Sequence, residues 1–153
     1  GEERYSKLIA KKIVDNRPIF KTKELIKLIK DALPKQNPIY IEKSIRKIFQ
    51  AIRIEVNDEL NELKKSLTSI KDVISKNGVI ICISYHSLED KIVKNFMSEL
   101  TIGCTCDPSI AICVCNNVES FKFPNKKKYY PSDEEVETNS RAKSATLRYV
   151  IKL

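Results

Sequence analysis

A seven-residue run, VIICISY at 79–85, sets the strongest limit on how this chain can fold. The run is apolar and rich in β-branched residues, and it follows the turn signal KNG. Such a segment is typical of a strand that is covered on both faces, as in a parallel sheet. A helical pattern follows at once, with Ile92, Val93, Phe96, Met97 and Leu100 on its apolar side. This order of elements predicts an α/β fold.

A second strand is predicted at the end of the chain. The segment ATLRYVIKL, residues 145–153, alternates with Leu147, Tyr149, Ile151 and Leu153 on one face. Two strands alone do not make a stable sheet, so the other strands must come from residues outside this chain. The chain begins at Gly1 and holds no Met before Met97. We therefore expect the C-terminal part of a longer α/β protein, with the missing N-terminal half as its partner.

The first half of the chain has the periodicity of helices. Apolar residues recur at helical spacing over 3–15 and 22–33, and Pro34 ends the second pattern. A third pattern runs from about Ile41 to Ser75 without Pro or Gly, which is long for one helix. We predict a break in it near Thr68–Ser69.

Composition narrows the class of protein. The 153 residues suffice for a domain with a core, and the net charge is +8. Residues 1–75 contribute +6 of this charge, which suits a nucleic-acid partner, although a Lys-rich composition explains it equally well. The longest apolar stretch is too short to cross a membrane, and no signal peptide is visible. Five cysteines without an export signal favour a reducing, cytoplasmic location.

The only histidine lies where the predicted strand meets the next helix. Ser87 and Asp90 have the spacing of a capping box, which would explain both residues as helix caps. His86 and Glu89 are not needed for that cap. They lie at the C-terminal end of an inner strand, where open α/β sheets bind ligands. We therefore take them as candidate functional residues.

Two polar clusters are candidates for binding RNA. Gln50, Arg53 and Asn57 share one helical face, which suits contacts to phosphates or base edges. Arg141 and Lys143 stand on a predicted loop directly before the last strand, where they would suit a backbone phosphate. An ordinary solvated surface accounts for either cluster as well.

Four cysteines form two pairs with one residue between the members of each pair. They lie within the segment CTCDPSIAICVC at Cys104, Cys106, Cys113 and Cys115. Four thiols so close in sequence suit a tetrahedral zinc site, although the spacer is shorter than the usual two to four residues. Cys82 lies in the predicted strand and is interpreted as a core residue.

These segments together resemble one family, the bacterial small-subunit (16S) rRNA cytosine-N(4)-methyltransferases, or RsmH/MraW family. The similar segments are, in order, GEERYSKLIAKKIV, KTKELIKLI, RKIFQAIRIEVNDEL, ISYHSLEDKIVKNF and NSRAKSATLR, with the paired cysteines between the last two. The resemblance covers nearly the whole chain.

The resemblance implies an α/β fold that is the C-terminal part of a Rossmann-like, S-adenosylmethionine-dependent methyltransferase with an inserted helical domain. Residues 1–70 would be most of the insertion, and residues 71–153 would belong to the catalytic domain, with cysteine-rich segment 104–115. The family's S-adenosylmethionine site lies mainly in the N-terminal half, which implies no cofactor-binding residue here.

The resemblance also implies roles for the candidate residues. The partner would be the 16S rRNA of the small ribosomal subunit, methylated at one cytidine in the decoding region. The pocket around the target base would be lined by His86, Ser87, Glu89 and Asp90, whereas RNA would be bound by Gln50, Arg53, Asn57, Arg141 and Lys143.

Two alternatives stay open from the sequence. The first is a non-catalytic RNA-binding module with a cysteine zinc site, from a split gene or a degenerate paralogue. The second is a purely structural fragment.

Overall fold

The structure is a computed structural model that describes residues 3–35, 37–107, 112, 114–115, 117–124 and 128–153. The chain divides into two compact units, residues 1–59 and residues 60–153. Among the described residues, no helix is both long enough and apolar enough to span a membrane.

The first unit is helical. It contains α1 (Ser6–Asp15), α2 (Thr22–Ala32) and α3 (Pro38–Val56). Ile9, Ile29 and Leu33 are buried at its centre, because the apolar faces of the helices meet there. Asn37 starts α3 by accepting a hydrogen bond from the Ile39 N–H, and Pro38 occupies the first helical position, where a missing N–H costs nothing.

The long helical pattern is broken earlier than the sequence predicts. Helix α3 ends at Val56 and α4 runs over Glu59–Val73, so the predicted break near Thr68–Ser69 is wrong. Asp58 takes a left-handed backbone conformation with φ 51°, which Asp tolerates better than most residues. The hydroxyls of Thr68 and Ser69 instead donate to carbonyl oxygens one turn earlier, which lets the helix continue.

The second unit combines helices with a small sheet. Its elements after α4 are β1 (Val79–Ser84), α5 (Ser87–Leu100), β2 (Phe121–Lys122), α6 (Asp133–Thr138), a 3-10 helix (Ser140–Ser144) and β3 (Thr146–Lys152). The strand order is β1-β3-β2, and both pairings are antiparallel. The two strands expected from the sequence are therefore confirmed, and β3 lies between the other two.

Helices cover one face of this sheet. The core of the unit consists of Leu67 from α4, Val93 and Met97 from α5, and Ile80, Phe121 and Val150 from the strands. On the other face, Val79, Ile81 and Ile83 are 43%, 61% and 56% exposed. The expectation of a strand covered on both faces in a parallel sheet is thus not met within the described residues, since β1 is an edge strand with helices on one side only.

The buried face of β3 is not its more apolar one. Thr146, Arg148 and Val150 point into the core, whereas the residues between them are half-buried. The register explains this, because Val150 pairs with the buried Ile80 and Thr146 with the buried Ser84. An arginine at an inward position requires a charged partner.

Candidate functional site

The register of the sheet gathers most of the predicted polar residues at one end. Ser84, the last residue of β1, pairs with Thr146, the first residue of β3. The start of α5 follows β1, and the 3-10 helix precedes β3. The predicted pocket residues therefore lie at the same end of the sheet as the 3-10 helix that carries Arg141 and Lys143.

His86 begins α5 as its N-cap. Its backbone is still extended, with φ −141° and ψ 161°, and its Nδ1 accepts a hydrogen bond from the Glu89 N–H at 3.3 Å. The Glu89 carboxylate in turn accepts from the N–H groups of Tyr85 at 2.9 Å and His86 at 3.3 Å. The capping box is therefore His86–Glu89, and the predicted box of Ser87 and Asp90 is wrong. The strand geometry persists through His86, so Ser87 is already the first helical residue and is exposed.

The hydrogen bond to Nδ1 defines the proton position of a neutral His86 ring. Because Nδ1 accepts, the ring proton lies on Nε2. That atom is buried and lies 3.1 Å from Glu89 Oε1, although no aligned hydrogen bond joins them. The Nε2–H donor of His86 is therefore buried beside the Glu89 carboxylate at the sheet end.

Asp90 is bound to an arginine from β3. Its two carboxylate oxygens accept from Arg148 Nε at 2.7 Å and Arg148 Nη2 at 2.9 Å, and the Ser84 hydroxyl lies 3.4 Å away. The hydrogen bonds from Arg148 hold the pKa of Asp90 below its ordinary value, with further help from the charge of that guanidinium. This bidentate pair joins α5 to the sheet.

Sequence reasoning missed the partners of these candidates. Arg148 was interpreted only as part of an alternating strand, and Ser84 as part of an apolar run. The sequence holds only a weak signal for this pair. Arg148 occupies a buried position of β3, and a buried positive charge requires an acidic side chain close to it. Tyr129 was missed as well; it bridges to Leu147 and its ring stacks on Tyr149, with centroids 5.5 Å apart.

The two basic residues before β3 lie on the 3-10 helix and not in an irregular loop. Arg141 and Lys143 are both exposed, whereas Ala142 between them is buried. The Asn139 side chain accepts from the Arg141 N–H at 3.2 Å and so fixes the start of this helix. The two charges face solvent at the sheet end.

Within the first unit, the helical RNA-binding candidates gather around an acid. Arg53 Nε lies 2.9 Å from Glu59 Oε1, and the Asn57 amide donates to the same oxygen at 3.1 Å. Asn57 is also the C-cap residue of α3, so the turn after the helix brings Glu59 back to Arg53. Gln50 is half-buried in α3.

Three of the four paired cysteines converge. The sulfur atoms of Cys104, Cys106 and Cys115 all lie within 4.8 Å of one another. Cys113 lies outside the described residues. Cys82 is half-buried in β1, and burial raises the pKa of its thiol.

These features define part of an α/β protein with polar and charged side chains at one end of its sheet. The family model of the MraW methylases matches residues 1–153, so the chain belongs to the MraW methylase family. The resemblance drawn from the motifs is confirmed.

Several curated relatives of the chain carry the name ribosomal RNA small subunit methyltransferase H. The protein of Brevibacillus brevis is 42% identical over 156 residues, which cover 100% of this chain and 50% of the relative. The Clostridioides difficile protein is 41% identical with the same coverage. The Fusobacterium nucleatum protein is 44% identical over 151 residues, 97% of this chain and 47% of the relative. The chain therefore spans about half the length of these relatives.

Proposed function

We propose that this chain is the C-terminal portion of an enzyme that methylates N(4) of a cytidine in the decoding region of 16S rRNA, with S-adenosylmethionine as methyl donor. The observation that carries the proposal is the family match over the whole chain, together with relatives named as small-subunit rRNA methyltransferases. In this proposal residues 1–70 belong to an inserted RNA-recognition domain, and residues 71–153 return to the catalytic domain.

The sheet supports the assignment to a larger α/β domain. In the described part of the chain, β1 pairs with a strand on one edge only, and its apolar side chains on one face are exposed. A Rossmann-like sheet is covered by helices on both faces. Further strands beside β1 and helices over Ile81 would complete such a sheet, and the relatives have about as many residues again to supply them.

The residues present do not fit a complete S-adenosylmethionine site. The chain holds three glycines, Gly1, Gly78 and Gly103, and the turn from β1 into α5 contains none of them. A nucleotide-type loop at that turn needs glycines so that the backbone approaches the ligand closely. We therefore place the cofactor site mainly in the other half of the protein.

The reaction requires the target base to be held in one orientation. The lone pair of a cytosine amine is delocalised into the ring, so a hydrogen-bonding wall must orient the amine toward the methyl donor, and the base must leave its stack. Ser87, whose exposed hydroxyl can accept a hydrogen bond from the amine, and His86, whose ring can line the base or donate to one of its acceptors, are the candidates for that wall. Glu89 and Asp90 act as positioning residues, because their carboxylates are held by backbone N–H groups and by Arg148.

A substitution pair at His86 tests the sheet-end site in the full-length protein. His86→Ala removes both the imidazole and the cap, whereas His86→Asn restores the cap, because Asn is among the best N-cap residues. If the imidazole orients the base, both variants lower the single-turnover rate of methyl transfer to small subunits on the order of 10- to 100-fold, with RNA affinity nearly unchanged.

Thermal unfolding supplies the control, since only His86→Ala should lower the melting temperature. A wild-type rate in His86→Asn would show that His86 is a helix cap and nothing more.

The RNA-binding surface is tested by two substitutions that should change RNA affinity in opposite directions. Arg53→Ala removes a cation, so it should weaken RNA affinity by roughly 1 to 3 kcal/mol and flatten the salt dependence. Glu59→Gln removes the carboxylate that competes with phosphates for Arg53, so it should strengthen binding. Filter binding at two salt concentrations measures both. Unchanged affinity in the two variants would remove this surface from the proposal.

A further inference from the structure

The three described sulfur atoms of the cysteine segment are spaced for a metal ion. Zinc binds thiolates at about 2.3 Å in a tetrahedron, which places neighbouring sulfurs about 3.8 Å apart. Cys104 Sγ and Cys115 Sγ are 3.7 Å apart, and Cys106 Sγ lies within 4.8 Å of both. A disulfide would require about 2.05 Å, so the spacing corresponds to shared ligation and not to oxidation.

Backbone N–H groups point at these sulfurs. The Thr105 N–H donates to Cys115 Sγ at 3.4 Å, and the Val114 N–H donates to Cys106 Sγ at 3.4 Å. Donors of this kind stabilise a thiolate, which is the form of cysteine that binds metal.

The base of the segment is held separately from its cysteines. The Asn117 amide donates to the carbonyl oxygens of Ile102 at 3.3 Å and Gly103 at 3.0 Å, and the Ser120 N–H donates to Leu100 O at 3.3 Å. These bonds join the end of α5 to the residue before β2. Cys104 and Cys106 are thereby brought opposite Cys115.

We propose that Cys104, Cys106 and Cys115 bind one zinc ion, with Cys113 as the fourth thiolate. Four soft, charged ligands in a tetrahedron select zinc and leave no open position, so the ion is structural and not catalytic. It ties the end of α5 to the start of β2, whose Phe121 is buried in the core of the second unit. The site is independent of the proposed methyl transfer.

Elemental analysis of the full-length protein, purified under reducing conditions, tests the proposal. We expect about one zinc per chain, and loss of that zinc in Cys104→Ser and in Cys115→Ser. Cys82→Ala is the matched control, because it removes a thiol from the sheet core and should leave the zinc content unchanged. Iron in place of zinc, or less than a tenth of one zinc per chain after titration with zinc salt, would overturn the proposal.

A second measurement tests the proposal even if the serine variants fail to fold. Zinc-loaded protein is alkylated and the modified thiols are located by mass spectrometry, with and without prior removal of metal by a chelator. The proposal expects all four clustered cysteines to be protected by zinc and exposed together by the chelator. Equal alkylation of the four in both samples contradicts it.

Discussion

Arg148 illustrates how one buried charge organises the second unit. It is 6% exposed and lies between two inward residues of β3, so its charge is removed from water. Asp90 compensates that charge through two short hydrogen bonds. A buried charge that loses its partner is strongly destabilising, whereas the pair itself contributes little net stability.

Asp90→Asn should therefore be among the more damaging single substitutions in the second unit. Leaving the buried guanidinium without a counter-charge should lower the free energy of unfolding by roughly 3 to 5 kcal/mol. Glu99→Gln, on the exposed side of the same helix, is the control and should change it by less than about 0.5 kcal/mol. Denaturant unfolding measures both, and equal losses would contradict a special role for the pair.

The Asp90–Arg148 pair should also affect how the free energy of unfolding depends on pH in the acid range. The pKa of Asp90 is lower in the folded protein than its ordinary value, because Arg148 binds the charged form. Its contribution is fully present above the unfolded pKa of about 3.9 and is lost as the pH falls through the lower folded value. We expect the unfolding free energy of the wild type to fall more steeply than that of Asp90→Asn below about pH 4. Parallel curves would contradict this expectation.

The residues at the start of α5 show what sequence spacing predicts poorly. An acid three residues after a polar one predicted a capping box correctly in kind, but the box is one residue earlier than predicted. The position of the capping box depends on where the extended backbone of β1 ends, and the residue pattern of β1 does not specify that point. The partner of Asp90 is 58 residues further along the chain, so local patterns could not reveal it.

Among the elements, the turn between α4 and β1 is the most restricted. Asn77 has φ 63°, and its N–H donates to Lys152 O, while Gly78 O accepts from the Lys152 N–H. A Cβ on Gly78 would lie 2.8 Å from the carbonyl oxygen of Ser75 and 2.6 Å from Ile74 Cγ1. The turn therefore fixes where β1 begins beside β3.

Gly78→Ala should destabilise the protein by roughly 1 to 3 kcal/mol, because the backbone oxygen cannot move aside without disturbing the turn. Gly103→Ala is the matched control, since its nearest contact would be an ordinary 3.9 Å. Thermal unfolding of both variants checks the difference. Similar melting temperatures would mean that the turn relaxes freely.

Elements were easier to predict than their ends and faces. The periodicity of apolar residues predicted α1, α2, α5 and the strands β1 and β3, and it covered α3 and α4 with one long pattern, because burial of one face dictates that spacing. The short α6 and the 3-10 helix after it were not predicted. The break at Asn57–Asp58 was missed because the apolar pattern continues across it. Strand β2 has only two residues and no period to detect, and it depends on pairing with β3.

At the scale of the whole molecule, the sequence predicted the family and an incomplete sheet. Within the described residues, one face of that sheet lies over α4 and α5, and the other carries exposed Val79, Ile81 and Ile83. Which strand lies beside which could not be predicted, because pairing depends on contacts distant in sequence. The antiparallel place of β3 between β1 and β2 is therefore a finding of the structure.

The open edge of β1 has a consequence for handling the chain in isolation. Its six residues, VIICIS, contain no charge and no proline, and such an edge is a template for aggregation. Ile81→Lys should keep the isolated chain soluble at concentrations where the wild type scatters light, because an edge lysine blocks strand addition. In the full-length protein the same lysine should be destabilising, if helices of the other half cover Ile81. If Ile81→Lys keeps the isolated chain soluble but destabilises the full-length protein, this face of β1 is buried in the full-length protein.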